Sequence, residues 1–271
     1  MSDQWFTLVV HVPQLEREAF TARLWDCEIG GFEERNHEEF VEFRIGTTNP
    51  DVVQSISAPE WFRSCEPIAA TTGLDAWREF AKVERAGRCV IVPSWHEYQA
   101  EPDEIVVVID PQYSFGSGSH PTTRLCAELL SEYVQNTDTV ADIGCGSGVL
   151  SVVAAKAGAA LVCATDIDPH ACAMTVENAQ RNDVVIEVAP SIDEFSLAQF
   201  EIVVANIGAA VLCELAPTLL RVTKKFLLVS GLLIEQQNDV IDCFVAGDVT
   251  LRAVRQLDEW SAVVIEKVIH D

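Results

Sequence analysis

Positive charge is what this sequence has least of. Eighteen Lys and Arg stand against 42 Asp and Glu, a formal net charge of −24, and the deficit runs through both parts of the chain. Residues 1–73 hold 5 basic and 13 acidic groups (net −8), and residues 74–271 hold 13 and 29 (net −16). Direct grip on nucleic acid is therefore not expected, because it relies on clustered cations that neutralise phosphates and release counterions. A basic protein partner would be attracted instead. Long apolar runs are also missing: none reaches the roughly 18 residues that a membrane helix needs. The start Met1-Ser2-Asp3-Gln4 has neither the basic region nor the apolar stretch of a secretion signal, so a soluble cytoplasmic protein is expected. The nine cysteines include no Cys-x-x-Cys pair. That pattern suits neither a clustered zinc site nor a disulfide framework, so most are expected to be buried thiols and no metal is expected. Apolar residues nonetheless make up 49% of 271 residues, enough for one large domain or two modest ones.

The first seventy residues alternate between a period of two and a period of 3.6. Trp5 to Val12 reads as a strand and Leu15 to Trp25 as a helix, stopped by Gly30-Gly31. Extended runs Phe32 to Asn36 and Phe40 to Ile45, a short helix at Val52 to Ile56 and a strand at Cys65 to Thr71 complete a βαββαβ order, that of a small α+β ferredoxin-like domain. No catalytic constellation lies within it. Asp75 to Glu84 reads as a helical linker, and Cys89 to Val92 and Ile105 to Ile109 as the first strands beyond it. From Thr139 strands (139–143, 161–166, 184–188, 201–205, 226–230) alternate with helices (148–157, 170–180, 209–221, 233–243), which implies an α/β, Rossmann-like, mostly parallel sheet with helices on both faces. Val249 to Val254 and Ala262 to Val268 have no helix between them and suggest a hairpin at the sheet edge. The expected division is 1–73, a linker 74–90, and 91–271.

Val140 to Gly148 (VADIGCGSG) sets a glycine cluster directly after a strand and before a helix, where backbone without Cβ atoms turns tightly and approaches a ligand. A dinucleotide fingerprint wants Gly or Ala where Val149 stands, which argues against a nicotinamide enzyme. Asp142 places a carboxylate where a pyrophosphate would be repelled and a cationic amino-acid moiety attracted. S-adenosylmethionine carries an ammonium and a sulfonium and no phosphate. The next strand ends in Thr165-Asp166-Ile167-Asp168, so that Asp166 can accept both ribose hydroxyls and Ile167 can lie against an adenine face.

Asp110-Pro111 and Phe115-Gly116-Ser117-Gly118-Ser119-His120-Pro121-Thr122-Thr123 match the signature of one family, with serine at two positions where that family has threonine. Asp142 to Gly148, Asp166 to Pro169, Asn178, Ala205-Asn206-Ile207, Leu215-Ala216-Pro217, Ser230-Gly231 and Glu259-Trp260 fall in register with it. The chain thus resembles the ribosomal protein L-eleven methyltransferases over roughly two-thirds of its length. The resemblance implies a class I methyltransferase with a seven-stranded sheet that uses S-adenosylmethionine on amino groups of that ribosomal protein. It further implies that residues 1–73 and the linker recognise the protein substrate. Asn206 would be the catalytic residue, presenting its oxygen to the acceptor amine. Phe115, Thr123, Gly144, Gly146, Asp166, Ile167 and Asn206 would hold the cofactor. Gly208 departs from the family, where many members have Leu. His120 and the rings of Trp77, Trp95 and Trp260 are read as structural. The alternatives are a related lysine methyltransferase acting on another protein, or a noncatalytic adaptor that kept the fold.

Overall fold

The computed structural model describes residues 5–68, apart from 26, 28, 30 and 38, and residues 82–110, 118–195, 199–244 and 249–268. Its contacts divide the chain into two compact units, Met1–Ala81 and Lys82–Asp271.

In the first unit β1 (Trp5–Pro13), α1 (Arg17–Trp25), β2 (Gly31–Asn36), β3 (Phe40–Thr47), α2 (Pro50–Ile56) and β4 (Phe62–Ile68) follow the expected order. The strands form an antiparallel sheet in the order β2-β3-β1-β4, a ferredoxin-like arrangement. Period-two patterning sends Leu8, Val10 and Val12 of β1 and Val41, Phe43 and Ile45 of β3 to one face. Phe20 and Leu24 of α1 and Val53 of α2 cover that face. β4 begins at Phe62, three residues before the expected start, because Phe62 pairs with Val10 across a register shift in β1.

The expected helical linker is corrected where it can be seen. Residues 75–81 lie outside the described residues, and Glu84 opens a strand instead. β5 (Glu84–Ala86) turns through Gly87 into β6 (Cys89–Pro93), and β7 (Ile105–Ile109) lies parallel to β6. Ala86 and Cys89 are buried in the core of the second unit, so residues 84–90 belong to that unit and not to a linker. These three strands form a sheet of their own.

The main sheet has seven strands in the order β10-β9-β8-β11-β12-β14-β13. They are β8 (Thr139–Ile143), β9 (Leu161–Thr165), β10 (Glu187–Ala189), β11 (Phe200–Asn206), β12 (Thr223–Leu233), β13 (Val249–Leu257) and β14 (Trp260–Lys267). The first five in that order are parallel, and β14 runs antiparallel between β12 and β13, which is the expected edge hairpin. The helices are α3 (Pro121–Tyr133), α4 (Val149–Lys156), α5 (Pro169–Arg181), α6 (Ala209–Val222) and α7 (Gln237–Phe244). Successive strand residues face opposite cores. Val140, Ile202 and Val204 pack with Leu125, Leu129 and Val153, whereas Ala141, Val203 and Ala205 pack with Leu212, Leu219 and Phe244. A sheet buried on both faces explains why these strands read as unbroken apolar runs.

The cysteines depart from expectation. Cys213 of α6 and Cys243 of α7 form a disulfide; Cys89, Cys126, Cys145 and Cys163 are buried thiols, and Cys27, Cys65 and Cys172 are half-buried. The 30-residue separation of the pair carries no local signal in the sequence. Among the described residues no helix is long and apolar enough to cross a membrane.

Candidate active site

Strand order reverses beside β8, which has β9 on one side and β11 on the other, and the carboxyl ends of strands at such a point bind ligands. Here β8 ends and the chain turns through Gly144, Gly146 and Gly148, all at positive φ. The Gly144 and Cys145 amides both donate to the Thr165 carbonyl at 2.9 Å, which seats the turn on the tip of β9. Gly144 has φ +75°, and a Cβ there would stand 2.4 Å from Ile207 Cγ2. From the other side a Cβ on Gly231, φ +91°, would stand 2.2 Å from the Ile207 carbonyl oxygen. Ile207, which follows Asn206 at the end of β11, is thus wedged between two glycines at positive φ where a side chain would collide with it.

Thr123, Gly144, Cys145, Gly146, Val149, Leu150 and Asn206 line a pocket at this point. Thr123 lies buried in the first turn of α3, and the Asn206 Nδ2 donates to its Oγ1 at 3.3 Å. The other end of that amide, Oδ1, is buried without a hydrogen-bond partner among the described residues. A buried amide left half satisfied carries a desolvation cost, so Asn206 offers an acceptor that no donor among the described residues takes up. Asp166 stands at the tip of β9; its Oδ2 accepts from the Gly146 amide and its Oδ1 from the Asp168 amide, each at 2.9 Å. Asp168 in turn caps α5 by accepting from the His170 amide. Ile167 beside them is 96% exposed.

The structure therefore brings together Thr123, Gly144, Gly146 and Asn206, and joins Asp166 to them through Gly146. Ile167 stands at the rim, and Phe115 lies outside the described residues. Cys145, Val149 and Leu150 were not singled out from the sequence, although their place in and just after the glycine loop would have pointed to them. Burial raises the Cys145 thiol well above the usual range, so it lines the wall as a neutral group.

One expectation changes. Asp142 does not face the pocket. It is buried and accepts from the Ser151 hydroxyl of α4 at 2.5 Å, and burial pushes its carboxyl up to about 6, against the lowering effect of Ser151. His120 is the N-cap of α3, where its ring accepts from the Thr122 amide and lies edge-on to Trp260 at 4.6 Å. Burial lowers its pKa, which suits a neutral cap. Trp95 packs beside His96, and Trp77 lies outside the described residues. Gly208, the N-cap of α6 at φ −61°, has no described residue within 4 Å of where a Cβ would be, so among the described residues there is room for a larger side chain.

Among the described residues no Lys or Arg lines the pocket, and Asp166 stands close by. A glycine cradle, an adjacent carboxylate, an exposed apolar residue and an orphaned amide oxygen fit a cationic nucleoside that carries no phosphate. With the five parallel strands and antiparallel edge hairpin, this defines the Rossmann-like fold of a class I methyltransferase. Residues 63–268 match the family described as Ribosomal protein L11 methyltransferase (PrmA). A ribosomal protein L11 methyltransferase of Dictyoglomus thermophilum is 37% identical over 191 residues, 69% of this chain and 64% of that relative's length, just under two-thirds of it. One from Hydrogenovibrio crunogenus is 34% identical over 268 residues, 95% of this chain and 86% of its own. The crystal structure of a ribosomal protein L11 methylase from Lactobacillus delbrueckii subsp. bulgaricus superposes with a TM-score of 0.62 at 29% identity, covering 69% of this chain and 98% of that one. The chain belongs to the ribosomal protein L11 methyltransferase family.

Proposed function

We propose that the protein is an S-adenosylmethionine-dependent N-methyltransferase that methylates lysine or α-amino groups of ribosomal protein L11, and that it works in the cytoplasm where ribosomes are built. The observation that carries this reading is the half-satisfied Asn206 amide at the wall of a glycine-lined pocket. When bound, S-adenosylmethionine supplies an electrophilic methyl group on a sulfonium.

The chain's own part is to bind, align and dehydrate. The glycine loop and Thr123 would hold the amino-acid end of the cofactor, Asp166 the ribose hydroxyls, and Ile167 and Phe115 the adenine or methionine portion. A lysine ammonium ordinarily titrates at about pH 10.4 and must lose a proton before it can attack. Asn206 is no base at neutral pH, so its role is to accept an N–H of the amine through Oδ1 and turn the lone pair toward the methyl group. Thr123 holds the other end of the same amide, so that the acceptor is oriented before the substrate arrives.

Incubation with labelled S-adenosylmethionine and purified L11 should transfer label to amino groups, located by mass spectrometry. Asn206→Ala should lower single-turnover methylation by about 10²-fold or more while cofactor affinity changes little. Wild-type turnover in that variant would remove Asn206 from the reaction. Cofactor binding with no label on L11, but label on another protein of a cell lysate, would reassign the substrate.

A further inference from the structure

Helix α5 holds the glycine loop from behind. Thr175, Asn178 and Asn182 follow one another at spacings of three and four, which stacks them on one helix face, and all three are buried. The Thr175 hydroxyl lies 3.2 Å from both the Gly146 carbonyl, to which it can donate, and Cys145 Sγ. Asn178 Nδ2 donates to the Ser147 carbonyl at 2.9 Å. The same amide pairs with the backbone of Asp110, accepting from its N–H at 3.1 Å and donating to its carbonyl at 3.4 Å. Arg181 Nη1 donates to Asn178 Oδ1 at 2.7 Å, so both hydrogens and both lone pairs of the Asn178 amide are engaged. Asn182 repeats the two-way pairing on Val108, accepting its N–H at 2.8 Å and donating to its carbonyl at 2.6 Å, without reaching the loop.

Three glycines at positive φ give the loop an intrinsic freedom that would have to be lost when a ligand binds. A peptide unit is planar, so a carbonyl held from behind fixes the direction of the N–H across it. Gripping the Gly146 and Ser147 carbonyls orients the next two amides of the loop. We propose that Thr175 and Asn178 are positioning residues for S-adenosylmethionine, which hold the peptide planes of the glycine loop so that the cofactor meets a preformed cradle. The proposal rests on the methyltransferase reading above.

The test uses the full chain and four substitutions. Thr175→Val keeps the shape and removes the hydroxyl, Thr175→Ser restores it, Asn178→Asp keeps the shape and removes both donors, and Asn182→Asp removes the donors to Val108 of β7 and to the Asn178 backbone carbonyl within α5, neither of which is a group of the loop. Each is measured for thermal unfolding, for S-adenosylhomocysteine affinity by titration calorimetry, and for amide hydrogen exchange of residues 144–149 without ligand. Thr175→Val and Asn178→Asp should each weaken binding by about tenfold and speed loop exchange, Thr175→Ser should recover most of the loss, and Asn182→Asp should lower the unfolding temperature with affinity within about twofold of wild type. Near-wild-type affinity and exchange in folded Thr175→Val and Asn178→Asp would overturn the proposal, as would an equal affinity loss in Asn182→Asp. If Asn178→Asp does not fold, the two Thr175 variants decide. A wild-type chain that fails to bind S-adenosylhomocysteine would sink the methyltransferase reading, while the exchange comparison would still report whether α5 holds the loop.

Discussion

At Asp142 the chain places an acid where burial works against its charge. The carboxyl is pushed up to about 6 by burial, with Ser151 opposing the shift. A folded-state pKa above the unfolded one means that the native state keeps a proton which the unfolded chain has lost between about pH 4 and 6. This group therefore costs nothing below pH 4, and its penalty grows as pH rises through that window and is complete above it. Compared by urea denaturation, Asp142→Asn should gain on the wild type by about 3 kcal/mol as pH rises from 4 to 7, because the substituted amide does not titrate. A difference that stays constant with pH would mean that Asp142 ionises as an ordinary surface carboxylate.

Among the elements, the amino ends of the central parallel strands are tied by one side chain. Glu201 at the start of β11 accepts from the Thr139 amide and hydroxyl of β8 and from Lys224 of β12. Burial would raise the Glu201 carboxyl, but the Thr139 groups and the Lys224 ammonium outweigh it and hold the carboxyl at about 2. Its folded pKa is depressed, so the stabilisation is complete above about pH 4.5 and is lost as pH falls toward 2. Glu201→Gln should cost about 1 to 2 kcal/mol at pH 7, discounted because the site is partly solvated, and the cost should shrink toward zero near pH 2. Equal stability of variant and wild type at pH 7 would show that the sheet does not depend on this tie. The strand at Glu84–Ala86, where a helix is expected, also depends on partners on another segment. Those partners, Cys89 to Ile91, lie beyond a tight turn, and pairing with them outweighs the helical spacing of the residues before it.

For the molecule as a whole, the acidity of residues 1–73 supports a docking role toward a basic ribosomal protein. Exposed charges attract over about 8 Å at physiological ionic strength, so such docking would speed association and fade with salt. A fragment from Lys82 to Asp271, the second compact unit, should bind S-adenosylmethionine yet show a much higher Michaelis constant for intact L11, with little change for a short lysine peptide. Its salt dependence should also be flatter. A folded fragment that methylates L11 as well as the full chain at every salt concentration would make the first unit structural only.

Local chemistry determined much of this by itself. Alternating and continuous apolar runs specify strands buried on one face or two, so the βαββαβ order, the strands from Thr139 to Ser230 and the terminal hairpin were legible without coordinates, except that β10 starts at Glu187, three residues after the expected 184. Glycine needs at a strand tip and an acid at the next strand's end carry their own physical meaning, so Gly144, Gly146 and Asp166 could be named as well. Tertiary structure decided what depends on neighbours distant in sequence. Which way Asp142 points, that Cys213 meets Cys243, and that Asn206 spends one end of its amide on Thr123 and withholds the other follow from packing between segments. Side-chain direction and pairing across 30 to 83 residues leave no trace in local spacing.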